Sequence, residues 1–392
     1  MSLLRNLIKT DKKCLFKFIY NFGWKGLRGF QKFQKRKKRG EIFPAFQFIS
    51  VTNDCNLNCQ GCWVTRGEKS ETLELDKIHS IINDSKKHGS YFFGILGGEP
   101  LMYKSLMNIF TTHPDSYFQL FTNGTLLNDK TAAELRKCAN VTPLISFEGD
   151  ESVADIRRGS KHVYSKAMNA IKTAVKNKLV TGVAISVCKS NIDMALSEEF
   201  VKMIHDEGAI YLWYYIYRPT GANPCYELAL SAEEIERLRM FLVEARTKYP
   251  IILIDSYWSA EGDPFCPAIE GLSHHINPGG HIEPCPVIQF SRDKINGIPL
   301  KEIYEDSLFL KNFKKQTSGK TNGCILMEDP AWLQKFMVEQ EALNTSNRPD
   351  LLEQLAKAPM IVSHGSCKKI PEKSWIYRMA KRRAFFGLGA YG

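Results

Sequence analysis

The sequence contains no uncharged apolar run near the 18 or more residues that a membrane-spanning helix needs, so any membrane contact it makes is peripheral. It has no internal repeat, and no low-complexity tract apart from the basic cluster Lys35 to Arg39, which excludes solenoids and arrays. A secretory pattern is also missing, because the early basic residues are scattered and do not precede one clean apolar stretch and a small-residue cleavage site. With 11 cysteines, an odd number, that absence predicts reduced thiols in the cytoplasm and no disulfide framework. Acids are scarce at both ends: residues 1–44 carry 13 Lys/Arg against 2 acids, and residues 368–392 carry 7 against 1. The whole chain is +11, yet residues 45–367 are −6, so a mildly acidic body lies between two basic, aromatic-rich ends. A hydrophobic content of 44% and a charged content of 24% exclude a disordered or collagenous chain. The 392 residues leave room for one barrel of about 200 to 250 residues and a smaller appendage.

From residue 46 onward, short apolar runs alternate with longer amphipathic stretches, the pattern of β-α units around a parallel sheet. Candidate strands are Phe46 to Val51, Tyr91 to Leu96, Tyr117 to Phe121, Pro143 to Phe147, Gly182 to Val187 and Ile210 to Tyr215. Between them, Leu75 to Lys87, Asp129 to Cys138, Tyr164 to Asn177 and Leu196 to Asp206 have apolar residues near helical spacing. Six units are fewer than the eight of a closed barrel, so the expected fold is α/β, a partial (β/α)6 TIM-type barrel with a small cysteine-containing C-terminal extension. The pattern changes around Pro219 to Pro224, and a further helix is expected at Ser231 to Lys248. The expected divisions are a basic segment at 1–44, the barrel at 45–250, the cysteine-containing region at 251–367 and a basic tail at 368–392.

The first candidate strand is followed by Cys55-Asn-Leu-Asn-Cys59-Gln-Gly-Cys62-Trp63, three soft thiols within eight residues at a strand C-terminus, where barrel enzymes place their chemistry. A structural zinc site usually wants four ligands, and the nearest later Cys or His is His79, in a helical segment. A 4Fe-4S cube held by three cysteines leaves one iron open. A zinc knuckle or three incidental buried thiols are the alternatives.

The CxxxCxxC spacing resembles the radical S-adenosylmethionine superfamily, over roughly Phe46 to Pro224. The resemblance implies that Cys55, Cys59 and Cys62 hold a 4Fe-4S cluster whose open iron chelates S-adenosylmethionine. It further implies that an external one-electron reductant of flavodoxin or ferredoxin type drives reductive cleavage to a 5′-deoxyadenosyl radical, which abstracts a substrate hydrogen. The family often has an aromatic residue just before the third cysteine, whereas this chain has Gly61 there and its aromatic at Trp63. Gly97-Gly98-Glu99-Pro100 resembles the family's GGEP element: the glycines admit close backbone approach and Glu99 offers an acceptor to an ammonium group. Thr122, Asn123, Ser146 and Glu148 end the third and fourth strands at positions similar to those that touch the cofactor. Arg157 and Arg158 precede Gly159 as in the family's Arg-Gly pair, and Ser186 and Asn191 follow on the fifth unit. Each of these taken alone fits a turn or cap equally well.

Cys266, Cys285 and Cys324 lie beyond the barrel, and Gly279-Gly280 suits a hairpin that delivers Cys285. With Asn296-Gly-Ile-Pro-Leu-Lys-Glu-Ile-Tyr304, this region resembles SPASM or twitch extensions. The resemblance implies one auxiliary 4Fe-4S cluster, with Cys367 or Cys225 as fourth ligand, and a cysteine-containing hairpin without metal is the alternative. Cys138 and Cys188 read as core residues.

In the N-terminal segment, Leu15, Ile19 and Phe22 recur at helical spacing beside Lys12, Lys13 and Lys17, which suits an interfacial helix. Trp24, Leu27, Phe30 and Phe33 follow among Lys25, Arg28 and Lys32, where Gly23, Gly26 and Gly29 weaken a helical reading. The tail repeats the composition with Trp375, Tyr377, Lys381, Arg382, Arg383, Phe385 and Phe386. Such ends suit an anionic membrane surface on the inner face, RNA, or solvated packing on the barrel. A lipid or membrane-associated substrate follows from the first, a peptide is the main rival because of the SPASM-like region, and an RNA-modifying enzyme is a further alternative. A metal-stabilised binding protein is the non-enzymatic reading.

Overall fold

Seven short strands lie parallel in chain order: β1 (Phe46–Ser50), β2 (Phe92–Leu96), β3 (Tyr117–Thr122), β4 (Val141–Ser146), β5 (Gly182–Val187), β6 (Tyr211–Ile216) and β7 (Ile252–Ile254). They belong to a computed structural model that describes residues 3–66, 70–321, 323–364 and 369–384. The first six strands are almost wholly buried, as parallel strands covered on both faces must be, and their Phe, Ile, Val and Leu side chains merge into one core. Helices such as Leu75–Lys87, which buries Ile78, Ile81 and Ile82, cover the outside. Ser231 starts the helix Ala232–Lys248 with a reciprocal capping box to Glu234.

The sheet does not end with the sixth unit. Strand β8 (Ser273–Ile276) returns to pair in parallel with β1, and β9 (His281–Glu283) folds back antiparallel on β8. Strands β10 (Phe290–Ser291), β11 (Asp293–Lys294) and β12 (Leu343–Asn344) complete the set, with β11 on the edge beside β9 and β10 paired to β12. Among the described residues the main sheet has ten strands in the open order β11-β9-β8-β1-β2-β3-β4-β5-β6-β7. The barrel is partial, and residues after 250 extend the same sheet at both edges. Buried His275 explains how polar strands can do this. It lies 2.7 Å from Ser50 Oγ of β1 and 2.6 Å from Glu283 of β9, so pairing satisfies these buried polar groups.

Residues 3–38 are helical nearly throughout, including a π-helical stretch at Phe18–Lys25 and the helix Gly26–Lys38, so the three glycines do not interrupt the helix. Gly29 is there for proximity, since a Cβ on it would lie 2.5 Å from the Gly89 carbonyl oxygen. The segment passes under the N-terminal ends of successive strands. Asn6 donates to the His205 and Ala209 carbonyls, the Asp11 N–H to Lys178, Lys17 to Cys138, Asn21 to Pro114 and Ser116, and Arg36 to His88. Those carbonyls precede β6, β5, β4, β3 and β2 respectively, so one belt floors the barrel. Phe22, Phe30 and Phe33 turn inward onto it, whereas Ile19 and Trp24 point outward.

The tail is less solvated than its composition suggests. Lys381 is buried against Asp255 at 3.0 Å and Glu372 at 3.1 Å, while Arg246 reaches both carboxylates at 2.5 Å and Arg239 meets Glu372 at 2.7 Å. Tyr377 accepts from the Leu253 N–H at the start of β7. Tyr377 and Lys381 are therefore spent on internal contacts, because a buried cation needs its carboxylates more than a solvated one does. Phe385 and Phe386 lie outside the described residues.

Candidate active site

The cysteine loop follows β1 and is gripped by backbone from other strand ends. A Cβ on Gly97 would lie 2.5 Å from the Thr52 carbonyl oxygen and one on Gly98 2.2 Å from that of Asp54. Gly98 and Glu99 donate their N–H groups to those same two carbonyls, at 2.8 and 2.7 Å. The paired glycines therefore admit the cysteine loop itself. Gly159 and Gly221, both with left-handed backbone, press likewise on the carbonyls of Asn58 and Cys62. The Gln60 and Gly61 N–H groups donate to Arg157 and Asn223 at 2.8 Å each.

Two adjoining cavities of about 180 and 170 Å³ open at these strand ends. Both are walled by Cys59, Cys62, Trp63, Phe121, Ser146 and Arg158. Cys55, Gly97, Gly98, Thr122 and Asn123 line the second, and Glu148, Ser186, Tyr215, Tyr217 and Arg218 line the first. The structure thus brings together every residue expected at the cofactor site except Glu99, which is fully buried behind the wall. Its carboxylate accepts from Thr122 Oγ1 at 2.7 Å and from the N–H groups of Asn123 at 2.8 Å and Leu101 at 3.1 Å. Burial raises its pKa, against the pull of those donors. Glu99 ties β2 to β3 and in this arrangement positions Asn123. Asn123 in turn donates to Asn56 at 2.9 Å and lies 3.9 Å from Cys55 Sγ.

Arg158 donates toward Cys59 Sγ at 3.7 Å and pairs with Glu148, which also meets Arg157 at 2.9 Å. Burial works against the Arg158 charge, but Glu148 and then the Cys59 sulfur outweigh it and push its pKa further up. Both arginines of the Arg-Gly pair thus meet the chain's own Glu148 carboxylate. Asn191 is structural as well, donating to the Glu148 and Ser186 carbonyls. Burial pushes the Cys62 thiol up to about 12, with Cys59 adding to it, and raises Cys55. Among the described residues no three His, Cys, Asp or Glu side chains converge on a single metal ion.

Three wall residues at the end of β6 carry no motif. Tyr215 is buried, and its hydroxyl has no hydrogen-bond partner among the described residues. Tyr217 donates its hydroxyl to the Pro224 carbonyl at 2.6 Å, under the Arg157 guanidinium, and its ring fills the space that a side chain at 61 would need. Arg218 lines both the first cavity and a third of about 40 Å³, bounded by Cys266, Cys285 and Cys324. Gly61 was the sequence signal for Tyr217, while Tyr215 and Arg218 could be placed from the sequence only near a strand end facing the site, without a role.

In the third cavity, Cys266 and Cys324 stand at the N-caps of the short helices Pro267–Glu270 and Ile325–Glu328, and Cys285 follows β9. Burial pushes Cys266 up to about 12 and Cys285 well above its usual range, with the neighbouring thiols adding to both. His364 lines the same cavity, its Nδ1 lying 2.7 Å from Ser363 Oγ and its buried Nε2 without a hydrogen-bond partner among the described residues. Cys225 is half-buried, away from this cavity, with its thiol on Asn223. Cys367 lies outside the described residues. Cys138 and Cys188 are buried in the body of the protein.

A partial barrel with three thiols of one strand-end loop on its cavity wall defines a class, and the comparisons agree. Residues 49–201 match the Radical SAM superfamily. That match takes in the cysteine loop and runs on through β5, and over it the chain is similar to radical SAM enzymes. The sporulation killing factor maturation protein SkfB of Bacillus subtilis is 26% identical over 271 residues, 66% of this chain and 62% of that protein. A GTP 3′,8-cyclase of Desulforamulus reducens is 35% identical over 33% of this chain and 42% of its own length. In fold, the chain resembles Streptococcus suis SuiB bound to S-adenosylmethionine, with TM-score 0.60, 16% identity, and coverage of 72% of this chain and 71% of that one.

Proposed function

We propose that the enzyme reductively cleaves S-adenosylmethionine in the strand-end cavities and abstracts a hydrogen from a peptide substrate. The observation that carries this is the joint wall: Cys55, Cys59 and Cys62 share adjoining cavities with the polar ends of β3, β4 and β5. Three thiols on one wall, none grouped for a single ion, fit a 4Fe-4S cluster better than zinc. A bound cluster with S-adenosylmethionine supplies the reductive cleavage and the hydrogen-abstracting radical, with electrons from a flavodoxin- or ferredoxin-type donor. The chain's own residues orient and shield. Gly97 and Gly98 offer backbone, Asn123 holds the loop beside Cys55, Arg158 screens Cys59, and Ser146 and Ser186 face the cavity. Tyr217 is the aromatic wall that Gly61 gives up, and the free Tyr215 hydroxyl is available to substrate.

The peptide reading draws on SkfB, named as a maturation protein, and on SuiB, whose fold was also solved with its precursor peptide SuiA. Cys266, Cys285 and Cys324 would hold an auxiliary 4Fe-4S cluster. The unpartnered His364 Nε2 on their cavity fits a ligand whose other ring nitrogen is already oriented by a hydroxyl. We also infer a peripheral place on the inner face of a membrane, supported by the basic ends. A lipid substrate is the second reading, and it rests on that location alone.

The test is anaerobic reconstitution with iron and sulfide, followed by reduction in the presence of S-adenosylmethionine. Methionine and 5′-deoxyadenosine should form, and the triple change of Cys55, Cys59 and Cys62 to Ala should abolish them while about four irons remain. Zinc retention without cleavage would refute the reading.

A further inference from the structure

Each inner-facing residue of the N-terminal belt has a barrel partner, which leaves its outer face to be explained. On that face Leu4, Ile8, Phe16, Ile19, Tyr20 and Trp24 are between 45% and 72% exposed. A soluble surface rarely gathers so many large apolar side chains in about twenty residues without a partner for them. Lys9, Lys12 and Lys13 are exposed among them, and the Arg28 guanidinium lies 4.8 Å over the Trp24 ring. Asp11 is the one acid in residues 1–40, and it is turned to capping, accepting from the N–H groups of Lys13 and Cys14 at 2.9 and 3.2 Å. The tail adds to this side: residues 380–384 touch the helix Gly26–Lys38, and Trp375 and Ile376 are exposed at 66% and 54%. Aromatic and aliphatic side chains beside Lys9, Lys12, Lys13 and Arg28, which form no salt bridge among the described residues, are complementary to an anionic lipid surface, where the rings sit at headgroup depth and the cations meet phosphates.

The belt lies under the N-terminal ends of β2 to β6, whereas the cysteine loop and both cavities lie beyond the C-terminal ends. Strands of five or six residues separate the two by roughly 17 to 20 Å, and the helix thickness adds about 10 Å. We propose that the outer face of residues 4–28 rests on an anionic bilayer, so that the barrel stands on its floor and the cofactor cavities open away from the lipid. This rests on the peripheral-membrane reading and fixes its orientation. The consequence for substrate is direct: the reacting group arrives from the aqueous side, as a peptide can and an acyl chain buried in the same leaflet cannot.

The experiment uses the full chain with vesicles of phosphatidylcholine, with and without phosphatidylglycerol, and with brominated acyl chains to quench tryptophan. The protein should sediment with the anionic vesicles and be released by salt. The triple variant Ile8→Glu/Phe16→Glu/Ile19→Glu, exposed at all three sites, should bind at least tenfold more weakly with an unchanged melting temperature. Quenching should disappear in Trp24→Phe/Trp375→Phe and persist in Trp63→Phe, which probes the cavity end. If wild-type protein ignores anionic vesicles, or binds RNA in their place, the membrane reading itself falls. If it binds but the triple variant binds equally, or quenching vanishes with Trp63→Phe, attachment stands and the orientation is overturned. A dimer in wild type that the triple variant abolishes would assign the apolar face to a second copy and overturn both.

Discussion

A Cβ placed on Gly61 would lie 2.0 Å from the hydroxyl of Tyr217 and 2.5 Å from its ring. Two residues more than 150 apart in the chain therefore compete for one volume, and the tyrosine holds it. Gly61→Phe alone should weaken S-adenosylmethionine binding about tenfold or more, about 1.4 kcal/mol, because the new ring can enter only by displacing Tyr217 and its bond to Pro224. Gly61→Phe/Tyr217→Ala should recover only the part of that loss due to the clash, because the left-handed backbone at Gly61 strains any side chain. Equilibrium binding to the reconstituted protein distinguishes the two, and equal weakening in both variants would show that the ring does not serve the cofactor.

Glu148 sits between Arg157 and Arg158, all three largely buried. Removing the shared carboxylate strands two guanidinium groups, and breaking a buried pair in this way costs about 3 to 5 kcal/mol. Glu148→Gln should lower the denaturant midpoint accordingly. Arg158→Gln should be milder, since Arg157 continues to pair with Glu148, and should chiefly alter the electronic spectrum of a cluster bound beside Cys59.

At the third cavity, changing Cys266, Cys285 or Cys324 to Ala should reduce iron content by about four per chain and leave cleavage of S-adenosylmethionine intact. His364→Ala should change the magnetic-resonance signature of the auxiliary cluster while Cys367→Ala leaves it unchanged. The reverse pattern would assign the fourth ligand to Cys367.

Asp255 carries the pH dependence of the tail. Its carboxylate is desolvated, but Arg246, Lys381 and Arg239 more than offset this and hold its pKa below the usual range. A folded value below the unfolded one gives a stabilisation that is fully present above the unfolded value of about 3.9 and is lost as pH falls through the folded value. Wild-type stability should therefore fall on acidification below about pH 5. Asp255→Asn should be less stable at pH 7 and show a shallower acid slope in denaturant titrations.

The sequence makes β1 to β6 legible because both faces of each are buried, leaving nearly continuous apolar runs. Strand ends moved slightly, as where β4 begins at Val141, ahead of the expected Pro143. The Gly279-Gly280 turn made the β8–β9 hairpin legible, but not the pairing of β8 with β1, because the serine that completes the His275 pair is 225 residues away. The cysteine set and the paired glycines were readable as short motifs. Tyr215 and Arg218 could be placed near a strand end but given no role, and Tyr217 was not read, since what they do comes only from the point at which β6 ends. Glu99 was recognised as special, but it takes a fold to reveal that all three of its donors come from the protein.

The glycine seats under the cysteine loop also bear on how the enzyme survives air. Loop shape is imposed by backbone from β2, the residues after β4 and the residues after β6, each meeting a carbonyl of the loop directly. A protein built this way does not depend on its inorganic centre to keep the ligands in register. Oxidative damage that strips iron should therefore leave a folded apoprotein, repairable by simple resupply of iron and sulfide without passing through an unfolded chain.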